Sequence, residues 1–374
     1  MNKIDLDYMK LSSIPELGSV GARALLDYFG NPEAVLNASY DELKIAPKMT
    51  SKKLDSILKN KNILDGDYLT KMKDMQVEYF SIENEKYPTE LLETSSRPLG
   101  LYVKGNADVL QMPCIAIVGT RLCSLYGEKV AREFAYEFAK AGYCVISGLA
   151  KGVDTAAHWG ALEAGGATIA VLGGGVDVIY PQDNANLYNK ILENNAVISE
   201  YTISRRVDKR TFPQRNRIIA GIAIATVVVE SAPKGGSMIT AGQAGDFGRD
   251  VFAVPGRIDS IYSKGTNTLI SQGVNIACSA QDVIDQLNFR YGKPNQNLEF
   301  NFSERKTKEV SDKSSLSPDE EYVYSFFKSG ASLSIEESIM LISDFPPNKL
   351  ISIMSMLEIK KYLARNLDSH YELA

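Results

Sequence analysis

The turn Gly119-Thr120-Arg121 follows four apolar residues, 115–118, and precedes a helical pattern that opens near Tyr126. A strand that ends in a glycine turn before a helix presents backbone N–H groups at a positive helix terminus, which attracts phosphate. Arg121 adds a planar cation able to grip phosphate oxygens in a bidentate fashion. The spacing is not that of a dinucleotide-binding loop, because no third glycine follows where that fingerprint needs one. A second basic feature is the stretch 204–217. Its fourteen residues hold six cations and one acid, leaving about −10 on the rest of a chain whose net charge is −5. Phe212 lies inside this run, and the following Pro213 is expected to hold it extended. Cations that track a backbone, with an aromatic face between them, suit an unpaired polynucleotide strand. The competing arrangement is a solvated charged loop whose Phe212 packs into the core.

The elements that must position these residues are strands. Buried-strand runs at 115–118, 144–147, 168–172, 196–199, 226–229 and 251–254 alternate with helical patterns up to about residue 287. That alternation predicts a doubly wound parallel α/β sheet. Nearly every run ends in glycine, as at Gly148-Leu149-Ala150-Lys151-Gly152, Gly173-Gly174-Gly175, Lys234-Gly235-Gly236-Ser237 and Pro255-Gly256. Ligands of open α/β sheets bind outside the carboxyl ends of the strands. Glycines along that edge, with Ser237 and Thr240 as extra donors, point to a groove that phosphates approach closely. Tight strand-to-helix turns also use glycine for their own geometry.

Groups for catalysis are sparse. The two histidines are His158, four residues after a candidate N-cap Asp154, and His370 near the end of the chain. A packed, hydrogen-bonded His158 is the expected outcome. The phosphate loop of ATP-binding proteins and the HExxH and GxSxG patterns are missing. Asp177, Glu200 and Glu230 stand near strand ends without a readable pairing. No catalytic residue, metal site or cofactor is expected.

The 374 residues suffice for two or three domains, and 44% hydrophobic with 23% charged content fits folded domains. Cys114, Cys123, Cys144 and Cys278 show no zinc-like spacing, which suits a reducing compartment. The first residues contain no apolar run, and the longest apolar stretch, 218–229, is too short to span a bilayer. A cytoplasmic protein without membrane contact is expected. Residues 1–78 read as a helical module, in which Leu17-Gly18-Ser19-Val20-Gly21 looks like a degenerate helix-hairpin-helix turn. Pro88 and Pro98 mark 79–113 as extended connectors. Residues 291–317 read as a linker, and 318–374 as a small winged helix with three short helices and two strand pieces. Its third helix offers Lys349, then Lys360 and Lys361, so protein contact is favoured over groove reading.

Several of these stretches together resemble the bacterial DNA-processing protein A (DprA/Smf) family. They are Gly119-Thr120-Arg121, the run 147–154 with Ala157-His158, the run 170–177 with Tyr180-Pro181, and Phe212-Pro213-Gln214-Arg215-Asn216-Arg217. Gly235-Gly236-Ser237-Met238-Ile239-Thr240, Phe252-Ala253-Val254-Pro255-Gly256 and Gly265-Thr266-Asn267 complete the set. Gly173-Gly174-Gly175 lacks the cysteine often seen in that loop, and Lys234 stands where serine is common. The resemblance covers about 80–287 and implies an extended Rossmann-like core (79–290) that binds single-stranded DNA. It further implies a homodimer that hands the strand to RecA recombinase in natural transformation, with a SAM-like helical domain and a winged helix as appendages. The resemblance implies Arg121 as the pocket arginine, Lys209 and Phe212 as basic and aromatic grips and the Gly235-Gly236-Ser237 loop as backbone donors; with Gly119, Thr120, Arg215, Asn216, Arg217 and Thr240 these are the expected DNA contacts. The rival is a nucleotide phosphoribohydrolase of the lysine-decarboxylase-like group. Its Pro-Gly-Gly-x-Gly-Thr loop would be followed closely by a catalytic glutamate, whereas here no acid comes before Asp246.

Overall fold

The computed structural model describes residues 2–61, 64, 66–294, 316–327, 333–342, 344–360, 362–365 and 371–373. They fall into two units, 1–300 and 301–374, and each is taken by itself. The larger unit is built on a nine-stranded sheet of order β1-β2-β6-β5-β4-β3-β7-β8-β9. Its strands are β1 Val77–Ser81, β2 Gly100–Gly105, β3 Cys114–Val118, β4 Cys144–Ser147, β5 Thr168–Val171, β6 Ala196–Ser199, β7 Ala223–Val228, β8 Asp250–Ala253 and β9 Asn275–Ile276. From β6 to β9 neighbouring strands are parallel, while β1 and β2 add an antiparallel edge.

Strand β3 shows why the centre forms. All five of its residues are buried, because a parallel strand covered on both faces must be apolar throughout. Cys114, Ala116 and Val118 pack on one face with Ile218, Ile219 and Ile222, while Ile115 and Ile117 pack on the other with Phe134 and Phe138. The helices of this unit begin with α1 Lys3–Ser13, α2 Gly18–Phe29, α3 Pro32–Asn37, α4 Tyr40–Ile45, α5 Ser51–Asn60, α6 Gly66–Asp74 and α7 Thr89–Leu92. After these come α8 Leu125–Lys140, α9 Val153–Glu163, α10 Ala185–Leu192, α11 Thr211–Ile222, α12 Gly236–Asp246, α13 Lys264–Ser271 and α14 Ala280–Tyr291. The apolar stretch 218–229 divides between the end of α11 and β7, so β7 starts at Ala223 and not at Thr226.

Two expectations need correction. The segment 79–113 is not a set of connectors, because it supplies β2 and most of β1. The break placed at residue 78 falls inside β1, and helices α1–α6 share one apolar cluster with Val77, Tyr79, Leu99, Tyr102, Val176 and Ile203 of the sheet unit. Burial against the antiparallel edge fixes these helices to it. Asp5 strengthens the join by accepting hydrogen bonds from Ser81 N–H at 3.0 Å and Asn84 Nδ2 at 2.8 Å.

Most of the stretch read as a linker, 295–315, lies outside the described residues. The smaller unit contains α15 Pro318–Phe327, α16 Ile335–Leu341 and α17 Pro347–Ile359. Strands β10 Leu363–Arg365 and β11 Tyr371–Leu373 pair antiparallel. Val323, Phe327, Leu350, Met354, Leu357, Leu363 and Tyr371 form its core.

Candidate nucleic-acid interface

The strand order reverses at β3, which has β4 on one side and β7 on the other. A cavity of about 380 Å³ opens there, where an open α/β sheet offers its ligand site. Gly119, Thr120, Arg121 and Leu122 reach it from β3, Ala150 and Asp154 from beyond β4, and Ser231, Gly235, Gly236, Ser237 and Thr240 from beyond β7. Helix α11 contributes Phe212, Pro213, Arg215 and Asn216.

Carboxylates at strand ends hold the loops in place. The Glu230 carbonyl accepts the Thr120 N–H at 2.8 Å, and its carboxylate accepts Ser124 N–H at 2.8 Å and Ser124 Oγ at 2.6 Å. Ser124 in turn caps α8 through Gly127 N–H at 3.1 Å. Asp177 accepts Ser204 N–H at 2.7 Å and so ties down the start of the basic loop. Asp154 is not the N-cap of α9, a position that Gly152 fills. Asp154 reaches back from the first turn to accept Gly148 N–H at 3.1 Å and Ala150 N–H at 3.3 Å. Burial raises its pKa against the opposing pull of Arg215 and those two donors.

Arg121 is exposed and has no carboxylate partner among the described residues. Its guanidinium lies 4.9 Å from the Phe212 ring centroid, a cation–π contact that leaves its N–H groups free. Phe212 is not extended as expected. It sits in the first turn of α11, where Pro213 costs nothing because first-turn N–H groups have no intrahelical acceptor. Helix α12 starts at Gly236 with no side-chain cap; Met238 N–H donates to the Gly235 carbonyl at 3.1 Å, and the N–H groups of Gly236 and Ser237 remain available. A Cβ on Gly236 would meet nothing within 4 Å, whereas one on Gly119 would lie 2.5 Å from Val153 and one on Gly148 would collide with the Arg215 guanidinium. Among these three, Gly236 is open to a close ligand; the other two permit packing within the chain.

Several residues expected to touch DNA are committed elsewhere. Arg215 is 4% exposed and donates to the Gly148 and Val171 carbonyls, which locks α11 onto the ends of β4 and β5. Burial lowers its pKa to about 10, so it stays protonated at neutral pH. Arg217 does not line the cavity; its side chain is 12% exposed and pairs with Glu200 and the Ser96 carbonyl. Helical periodicity puts Arg215 on the buried stripe of α11, whereas Arg217, two residues on and so on another face, is held by Glu200 and the Ser96 carbonyl. Ser237 Oγ donates to Ser231 Oγ at 2.8 Å, and Thr240 Oγ1 donates to the Gly236 carbonyl at 3.5 Å, so neither hydroxyl is a spare donor. Asn216 Nδ2 donates to the Gly236 carbonyl at 3.3 Å and binds α11 to the start of α12. Lys209 is exposed in the loop before α11, outside the cavity lining, and has no ion-pair partner among the described residues.

His158 is buried beneath this site. Thr168 Oγ1 donates its one proton to the Val145 carbonyl at 2.7 Å, so His158 Nδ1, 2.7 Å away, must donate to Thr168. Burial, aided by the nearby Arg215 charge, lowers the imidazole pKa to about 3 and keeps it neutral. Sequence reasoning passed over Tyr180 as a contact. Its ring centroid lies 5.6 Å from that of Phe212, and its one signal was the Tyr180-Pro181 pair after the triple-glycine loop.

Fold and site define an open α/β protein with a cavity at the switch point of its sheet, lined by Arg121, Arg215, Asp154 and the start of α12. Residues 78–288, more than half the chain, match the model of the DNA recombination-mediator protein A family, and the chain belongs to that family. Members of this family mediate DNA recombination and are not catalytic enzymes. The DNA processing protein DprA of Streptococcus pneumoniae is 44% identical over 214 residues, 56% of this chain and 74% of that one. Protein Smf of Synechocystis sp. is 33% identical over 285 residues, 75% of this chain and 72% of that one. The X-ray structure of DprA from Streptococcus pneumoniae superposes with a TM-score of 0.66 at 35% identity, covering 76% of this chain and 98% of that chain. DNA processing protein A from Helicobacter pylori, whose structure concerns its own single-stranded DNA binding mode, gives 0.52 at 30% identity over 57% of this chain and 97% of that one. Among the described residues no helix is long and apolar enough to cross a membrane.

Proposed function

We propose that this chain binds single-stranded DNA in the cavity at the switch point and hands it to a RecA-type recombinase. One observation carries the reading. An unpaired Arg121, laid on Phe212, shares a cavity with the uncapped start of α12. A phosphate placed between them would meet a planar cation and orphan N–H groups together. Lys209 and Arg206, exposed on the loop before α11, would extend the track along the backbone. Arg215, Asn216 and Glu230 would act as positioning residues that keep this geometry fixed. The relative from Helicobacter pylori supports the choice of single strands, since its structure concerns that ligand.

In this reading the protein works in the cytoplasm as a homodimer, in natural transformation where the host takes up DNA. Helices α1–α6 serve as an accessory part of the sheet unit, the sheet with its switch-point cavity as the binding core and 318–374 as a winged-helix module for protein contact. Lys349 of that module is paired with Asp319 at 2.7 Å and Lys360 with Glu320 at 2.7 Å, which leaves α17 poorly equipped for a DNA groove. A gel-shift comparison of single- and double-stranded oligonucleotides of one length, with the full chain, tests the core of the proposal. Single strands should be retained at lower protein concentration. Equal retention of both, or of neither, would remove it.

A further inference from the structure

We propose that Tyr180 walls a nucleobase slot beside the phosphate cavity, a role that depends on the single-strand reading above. A smaller cavity of about 70 Å³ adjoins the larger one and shares Arg121, Ala150, Phe212 and Arg215 with it. Gly148, Lys151, Tyr180 and Pro181 complete its wall.

Phe212 is the obvious platform for a base, yet this chain's own atoms enclose it. Arg121 lies over its ring at 4.9 Å, Tyr180 packs against it at 5.6 Å with an interplanar angle of 43°, and its ring carbons lie 3.4 Å and 3.6 Å from where a Gly173 Cβ would stand. Phe212 is half-buried, whereas Tyr180 is 44% exposed. The Tyr180 hydroxyl bonds no residue among those described. A large ring left in water beside a cavity, with a free hydroxyl at its tip, is suited to an amphipathic planar ligand. The charges in the slot agree. Lys151 is neutralised by Asp183 at 2.7 Å, and Arg215 is occupied by backbone carbonyls. Arg121 alone among the slot's cations is then unpaired, and it stands where the two cavities meet. A phosphate on its one flank and the attached base on the other would use both spaces. Phe212 in this arrangement holds Arg121 in place, and Tyr180 takes the base. Because every base has a π-face, the slot should show little sequence preference.

The test compares oligo-dT with an abasic oligonucleotide of equal length, using the full chain and the variants Tyr180→Ala, Tyr180→Phe and Phe212→Ala. Tyr180→Ala should weaken oligo-dT binding by about five- to a hundredfold, the range of one lost stacking contact. Its binding to the abasic strand and its melting temperature should match those of the unmodified chain. Tyr180→Phe should keep most of the affinity. Phe212→Ala should weaken both ligands, because Arg121 loses its support. Unchanged oligo-dT binding by Tyr180→Ala, or equal loss on both ligands, overturns the slot and leaves the single-strand reading standing. Failure of the unmodified chain to bind oligo-dT overturns both.

Discussion

The two halves of the basic run 204–217 look alike in sequence and behave in opposite ways. Arg205, Arg206, Lys209 and Arg210 are exposed on a loop, and Asp208 engages two of them, Arg205 and Arg210, at 3.4 Å and 3.6 Å. Arg215 and Arg217 lie on α11 and are tied to carbonyls and a carboxylate inside the protein. Charge density therefore does not identify the cations that can meet a ligand. Position on the helix does. Arg215 stands three, four and seven residues before Ile218, Ile219 and Ile222, all buried, so it belongs to the core-facing stripe of α11. A cation on that stripe must be satisfied by the protein, and this one is.

The comparison is sharpest in stability. Arg215→Ala would strand two buried carbonyls and leave the buried Asp154 without its opposing charge, so it should cost about 3 kcal/mol or more by denaturant unfolding. A loss below about 1 kcal/mol would place Arg215 with the loop cations instead. Next comes acid sensitivity. His158 has a folded pKa of about 3 against 6.5 for its ordinary value, so its neutral form is favoured by the fold. Its stabilising contribution is fully present above about pH 6.5 and is lost as pH falls toward 3. Unfolding at pH 5 should be easier than at neutral pH by about 2 kcal/mol, and His158→Gln should flatten that dependence. An unaltered pH profile in the variant would show that another group governs it. The smallest effect separates two glycines. Gly236→Ala should leave stability intact and weaken oligonucleotide binding a few-fold, whereas Gly119→Ala, with its Cβ 2.5 Å from Val153, should destabilise the fold. Reversed outcomes would mean that the open space is at the β3 turn.

The parallel strands were legible because fully buried runs bounded by glycine have few other uses. The expected 196–199 coincides with β6, and 251–254 is displaced by one residue from β8. Strands β1 and β2 were not legible, because Pro88 and Pro98 between them drew attention to the connector. The shape of α11 was misread for a related reason: Pro213 argues for extended backbone everywhere except the first helical turn, and that is where it sits. The meeting of Arg121 with the start of α12 was suggested by the glycine loops, since both follow strands that neighbour each other at the switch point. The contact of Tyr180 with Phe212 had no such cue. It depends on how the loops after β5 and β6 fold back over one another, which no local spacing encodes.

In the proposed complex Arg121, and not the inward-facing arginines, grips the DNA backbone. The most direct test is the affinity of Arg121→Ala and the unmodified chain for oligo-dT across a salt series. Loss of one phosphate contact should weaken binding at low salt by about tenfold and reduce the slope of log K against log salt by about 0.7. Coincident lines for the two proteins would contradict the claim.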